Sequence, residues 1–184
     1  MSKKLSEIVK KRKAKKPDLE QILDLLKAGD TNNAIFQALR CFPEEKRLVY
    51  LYDALKKSKF RSFKKGMQDI ESLISDFLST GNKSPFMNSV NEVRKASHTS
   101  GYRVSPFEQI KESLFLSITA GNDIDRTYWA NNVINKILEL EYNLDDLDVE
   151  DINAAKANTK RGAYAAEIVS IIWPGNEAVK VLYG

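Results

Sequence analysis

The stretch from Lys56 to Gly66, KKSKFRSFKKG, places six basic residues among eleven and sets two phenylalanines between them. Ammonium and guanidinium groups at this density bind phosphate oxygens, and aromatic faces among them can stack on bases. A second stretch, KKRKAKK (10–16), carries six positive charges in seven residues. Such a segment repels itself, which predicts a flexible arm over residues 1–16 able to take hold of a phosphate backbone. The candidate nucleic-acid contacts are therefore Lys10, Lys11, Arg12, Lys13, Lys15 and Lys16 of the arm, with Lys56, Lys57, Lys59, Arg61, Lys64 and Lys65 of the second stretch. Phosphate binding of this kind supplies affinity without sequence preference. Phe60 and Phe63 have two readings. Burial in the core, with lysine stems extending around them, is the commoner fate of Phe at this spacing; stacking on bases is the other. Leu5, Ile8 and Val9 add a short apolar face to the arm, too small to anchor it on an anionic membrane by itself.

The rest of the chain offers little for bond-making chemistry. It has one cysteine, Cys41, and one histidine, His98. An intrachain disulfide, a Cys-rich zinc site and a multi-histidine metal site are excluded by count alone. Cys41 reads as a small apolar residue near a helix end. No phosphate-cradling glycine loop of the GxxxxGK[ST] or GxGxxG type occurs. The carboxylates of DDLDVED (145–151) do not have EF-hand spacing, and the stretch reads as a solvated acidic turn, linker or helix start. The expectation is a non-enzymatic protein with no catalytic residue, no metal and no cofactor.

Charge narrows the partner. The net value of +4 hides a division: residues 1–65 hold 18 Lys or Arg against 8 Asp or Glu, or +10, and residues 66–184 hold 11 against 17, or −6. The basic half should attract a polyanion, either DNA or RNA, or else an acidic protein. No apolar run approaches the roughly 20 residues that cross a bilayer. The opening MSKKLSEIVKKRKAKK lacks the apolar stretch and cleavage site of a secretory signal. With a single thiol, these features predict a soluble protein of the cytoplasm.

The elements that must position these residues are helices. At 184 residues and 42% hydrophobic content the chain can bury one sizeable core. Apolar residues recur at helical spacing in Leu19, Ile22, Leu23 and Leu26; in Ile35, Ala38 and Leu39; in Leu48, Leu51, Tyr52 and Leu55; and in Met67, Ile70, Leu73, Ile74 and Phe77. Further stripes run through Phe86, Val90 and Val93, through Phe107, Ile110, Leu114 and Ile118, and through Trp129, Val133, Ile134, Ile137 and Leu138. The last holds Ala163, Ala166, Ile168, Val169 and Ile172, and Pro174 should stop it. Thr31, Ser84 and Ser105 read as N-caps, the two serines each followed by proline. LKAGD (26–30), LSTGN (78–82) and ITAGN (118–122) share an apolar residue, a glycine and then Asp or Asn. That order predicts a helix ended by a left-handed glycine and followed at once by a cap for the next. HTSGYRVS (98–105) reads as a loop. The predicted fold is all-α: a single compact multi-helix domain over residues 17–184, with about seven to nine helices. Near its end Ala154, Ala155, Ala157, Ala163, Ala165 and Ala166, with Trp173 and Tyr183 beyond, suit either a closely packed core helix or a self-association surface.

Residues 18–57 resemble the helix-turn-helix DNA-binding family. The resemblance rests on Ile22, Leu25 and Leu26 in a first helix, Ala28-Gly29 in the turn, Thr31, Ile35 and Leu39 in a second helix, and Tyr52 and Leu55 in a third. It implies that the third helix enters the major groove while the second lies across the backbone. Phe36 stands where the family has a small residue and Arg40 where it has glycine, so the helices should be pushed apart and the turn rebuilt. Glu44 and Glu45 would face phosphates at the start of the reading helix. The functional expectation is a nucleic-acid-binding or regulatory protein. The alternative is a protein–protein adaptor or inhibitor whose basic patch meets an acidic partner.

Overall fold

The computed structural model describes residues 17–58, 64–100, 106–142, 144 and 150–175. Among the described residues the chain forms eight α-helices and no strand: α1 (Leu19–Lys27), α2 (Thr31–Cys41), α3 (Glu44–Lys57), α4 (Lys64–Thr80), α5 (Ser84–Ser100), α6 (Pro106–Thr119), α7 (Asp123–Glu141) and α8 (Glu150–Ile172). The predicted all-α bundle is what the chain builds. Residues 1–16 lie outside the described residues.

Short α2 is the centre of the bundle and packs against α1, α7 and α8. Four of its residues, Ala34, Ile35, Ala38 and Leu39, have no exposed surface. Alanines let a neighbouring backbone approach closely, and α8 answers with its own buried small residues, Ala157, Ala165 and Ala166. Part of the alanine run foreseen as either core or interface is therefore occupied inside the molecule. Ala154 and Ala155 face outward. Helices α6 and α7 form an antiparallel pair: Ser117 Oγ donates to the carbonyl of Arg126 at 3.0 Å, and Asn132 Nδ2 donates to Ser113 Oγ at 2.8 Å. Ile110, Leu114, Ile134 and Ile137 are fully buried on these two helices. Helix α3 covers the core from another side through Leu51 and Leu55 and packs on α4 and α7.

The three glycine turns divide. Gly29 and Gly81 have φ of +78° and +68°, the left-handed conformation their position demands. Gly121 does not adopt positive φ. At that turn the carbonyl of Ala120 accepts from Arg126 Nε at 2.9 Å, so a side chain satisfies the helix end.

Some caps differ from the sequence reading. Asp30, not Thr31, caps α2, its carboxylate accepting from the Asn33 amide N–H at 3.3 Å. Thr31 is the first helical residue, and its buried hydroxyl bonds Asn158 of α8 instead. Ser84 is likewise the first residue of α5; the side chain of Asn82 accepts from its N–H at 3.0 Å. His98, Thr99 and Ser100 belong to α5 rather than to a loop. Gly101 to Ser105 lie outside the described residues, as do Asp145 to Val149, while Glu150 and Asp151 open α8. Helix α8 ends at Ile172, two residues before Pro174, as a missing N–H and a ring clash require. Among the described residues no helix is long and apolar enough to cross a membrane.

Candidate functional site

The basic stretch straddles a helix end and a helix start. Lys56 and Lys57 occupy the last turn of α3, and both are exposed. There they complement the negative end of the helix dipole. Lys56 Nζ lies 5.3 Å from the centre of the Tyr52 ring. Burial, and then the nearby Glu71, push the Tyr52 phenol up to about 12, so the ring under Lys56 stays neutral. Lys57 Nζ lies 3.8 Å from Glu167 of α8, with both side chains largely in solvent, so the pair contributes little stability. Lys64 and Lys65 are the first two residues of α4, whose first turn carries no acidic residue. Their side chains lie outside the described ones. So do Lys59, Arg61, Phe60 and Phe63, and the arm residues Lys10, Lys11, Arg12, Lys13, Lys15 and Lys16.

The first turn of α3 is built differently. Arg47 is 2% exposed, and its guanidinium holds three groups. Nε donates to the Leu39 carbonyl at 3.0 Å, and Nη2 donates to the Phe42 carbonyl at 3.3 Å and to Asp123 Oδ1 at 3.1 Å. The first two are carbonyls at the C-terminal end of α2. This explains how that helix leaves without glycine at Arg40: Phe42 is extended, its N–H bonds the Leu39 carbonyl, and Arg47 donates to the Leu39 and Phe42 carbonyls. Arg126 of α7 returns the contact across the same junction, with Nη1 3.7 Å from Glu44. Phe36 is half-buried and does not enter the core at all; Ile35 does.

Between α2 and α7 lies a groove lined by Asn32, Asn33, Phe36, Tyr128, Asn131, Asn132 and Asn135. Asn131 Nδ2 and Asn135 Nδ2 both donate to Asn32 Oδ1, at 3.2 and 3.3 Å. Asn33 Nδ2 is held by Asp30 at 2.7 Å, Asn132 by Ser113, and Asn135 Oδ1 accepts from Arg161 Nε at 3.1 Å. Burial pulls the Arg161 guanidinium below its ordinary value, while Glu139 acts the other way. Asn131 is 5% exposed, yet among the described residues its Oδ1 has no hydrogen-bond partner. Tyr128 is 58% exposed, and Trp129 stands edge-on to it with ring centres 5.2 Å apart. Sequence reasoning passed over this groove. The available signal was a doublet, NNAI (32–35) and NNVI (131–134), that puts poor helix formers inside two helices.

A second concavity is apolar. Phe42, Val49, Tyr50, Leu78 and Ile171 line it, with Glu45, Lys46 and Asp53 at its rim, and Val49, Leu78 and Ile171 are exposed. Cys41, the last residue of α2, is half-buried with Sγ 3.4 Å from the carbonyls of Pro17 and Gln37. Among the described residues no three His, Cys, Asp or Glu side chains cluster as a metal site would need. No protein-family model, curated protein or solved structure matches the chain.

Proposed function

We propose that the protein is a non-enzymatic nucleic-acid-binding protein that grips phosphates with its basic half and acts as a regulatory factor. The observation that carries this reading is the contrast between helix starts. Helices α3 and α7 open with acidic residues, Glu44 and Glu45 in one and Asp123 and Asp125 in the other. These oppose the positive end of the helix dipole and stabilise the helix. Helix α4 opens with Lys64 and Lys65 and no acid. Lysines there are unfavourable for the helix but attract an anion to its positive end. The last turn of α3, with Lys56 and Lys57, is joined to this start by only six residues, two of them basic. The helix-turn-helix docking mode is not needed for this function. In α3 the first turn, which would have to enter a groove, is tied to α7 through Arg47 and Glu44.

A protein adaptor is the second reading, favoured by the exposed Val49, Leu78 and Ile171 of the apolar groove. The two readings separate on purification from cells with and without nuclease. The nucleic-acid reading expects co-purifying material that absorbs at 260 nm and disappears on nuclease treatment. A nuclease-resistant protein partner, with no nucleic acid in either preparation, would replace it with the adaptor.

A further inference from the structure

We infer that the asparagine-lined groove between α2 and α7 receives a nucleobase. This deepens the reading above and rests on it for the strand that would carry the base. Three features of the groove decide the ligand class. First, the side chains that line it are five neutral amides and two aromatic rings. A lining without charge favours an uncharged ligand, because an ion would enter with no opposite charge to offset its desolvation. Second, the Asn131 and Asn32 amides are joined by one hydrogen bond, from Asn131 Nδ2 to Asn32 Oδ1. The Asn32 carboxamide is exposed and carries an acceptor, Oδ1, and a donor, Nδ2, side by side. A donor beside an acceptor is the edge by which an asparagine reads adenine. Third, the Tyr128 ring is exposed, and Trp129 packs against it at 83°. An edge-on neighbour fixes the ring while leaving ring surface open to stacking.

The unmet acceptor gives the groove its demand. Asn131 is 95% buried, with an Oδ1 that no group among the described residues satisfies. Such an acceptor costs stability until a donor reaches it. That oxygen has almost no surface of its own, so a ligand reaches it only when the Asn32 side chain gives way. The Asn32 side chain beside it is exposed and holds its two bonds at 3.2 and 3.3 Å, the long end of the range, so it can yield to a ligand.

The test uses the full chain and two probes. In the first, adenosine is titrated while the side-chain amide resonances of the asparagines are followed by NMR. Expected are shifts of the Asn32, Asn131 and Asn132 amides, with affinity reduced about tenfold in Tyr128→Ala and in Asn131→Leu. Tyr128 is on the surface, so that variant remains informative if the other fails to fold. Absence of shifts, or equal shifts with a methyl glucoside of similar size, overturns the inference. The second probe compares an oligoadenylate strand with the same strand made abasic. Tighter binding of the intact strand, lost in Tyr128→Ala, assigns the base to a nucleic acid. Equal binding of both strands leaves phosphate gripping in place and removes the base site. If adenosine fills the groove and neither strand binds, the base belongs to a free nucleoside or nucleotide, and it is the phosphate-gripping function that falls.

Discussion

Helix α7 meets its neighbours through two polar clusters eight residues apart, and they are used in opposite ways. At Asp123 it receives Arg47, a nearly buried cation with three bonded acceptors, two of them backbone carbonyls at the end of α2, of Leu39 and the cap residue Phe42. At Asn131 it meets Asn32 through a single amide bond that leaves a buried oxygen unmatched. The first cluster consumes its hydrogen-bonding capacity in tying α2, α3 and α7 together, with Nη1 of Arg47 alone left over. The second lines a concave surface, where the exposed Asn32 is held by two long bonds and one buried oxygen stays unmatched.

That distinction can be broken by mutation. The largest effect is expected at Arg47. Arg47→Ala takes a donor from the Phe42 carbonyl and from the Leu39 carbonyl, which keeps the Phe42 N–H, and empties a buried volume, and urea unfolding should show a loss of about 3–5 kcal/mol. A loss below about 1 kcal/mol would mean that the cluster does not build the junction. Next comes a third kind of buried polar group, the phenols of Tyr50 and Tyr164. Burial raises both above the ordinary tyrosine value, and Glu167 adds to the rise at Tyr50 while Glu141 leads the charges acting on Tyr164. The folded state therefore holds these protons after the unfolded chain has begun to lose them. Their contribution is fully present below about pH 10 and is lost as pH rises above it, by up to about 1.4 kcal/mol per pH unit for each phenol. Unfolding curves at pH 8, 10 and 11 should show most of the fall in the last step, and Tyr50→Phe should reduce it. A smaller change is expected for Asp123→Ala, about 1 kcal/mol, because that carboxylate is 52% exposed and Arg47 keeps its two carbonyls. The smallest is Asn131→Leu. Removing an unmatched buried oxygen along with one long bond should leave stability within about 0.5 kcal/mol of wild type. A loss comparable to that of Arg47→Ala would erase the contrast between the clusters.

What the sequence made legible follows the range of the forces involved. Stripes such as Met67, Ile70 and Ile74 are local, repeat with the helical period and end up buried. The stop before Pro174 and the left-handed Gly29 and Gly81 are local too. Thr31 was misread as a cap because Asp30, one residue earlier, has the same competence, and only the distant Asn158 shows why Thr31 faces inward. Arg47 looked like one more solvated charge beside Lys46. Its position four residues before Leu51 put it on the buried face, but its acceptors come from α2 and α7. The groove was hardest to see. Its two doublets are 99 residues apart and become one site only when α2 and α7 cross.

The central claim, phosphate binding by the basic half, is tested most directly by the salt dependence of binding to a labelled single-stranded oligonucleotide. The measurement is made on the wild-type chain and on a chain with Lys64→Gln and Lys65→Gln. The account predicts that the logarithm of the binding constant falls linearly with the logarithm of salt, by about 0.7 per phosphate neutralised, and that the double variant makes the slope shallower by up to about 1.4. Binding that is absent at low salt, or a slope unchanged by losing both lysines at the start of α4, would contradict it.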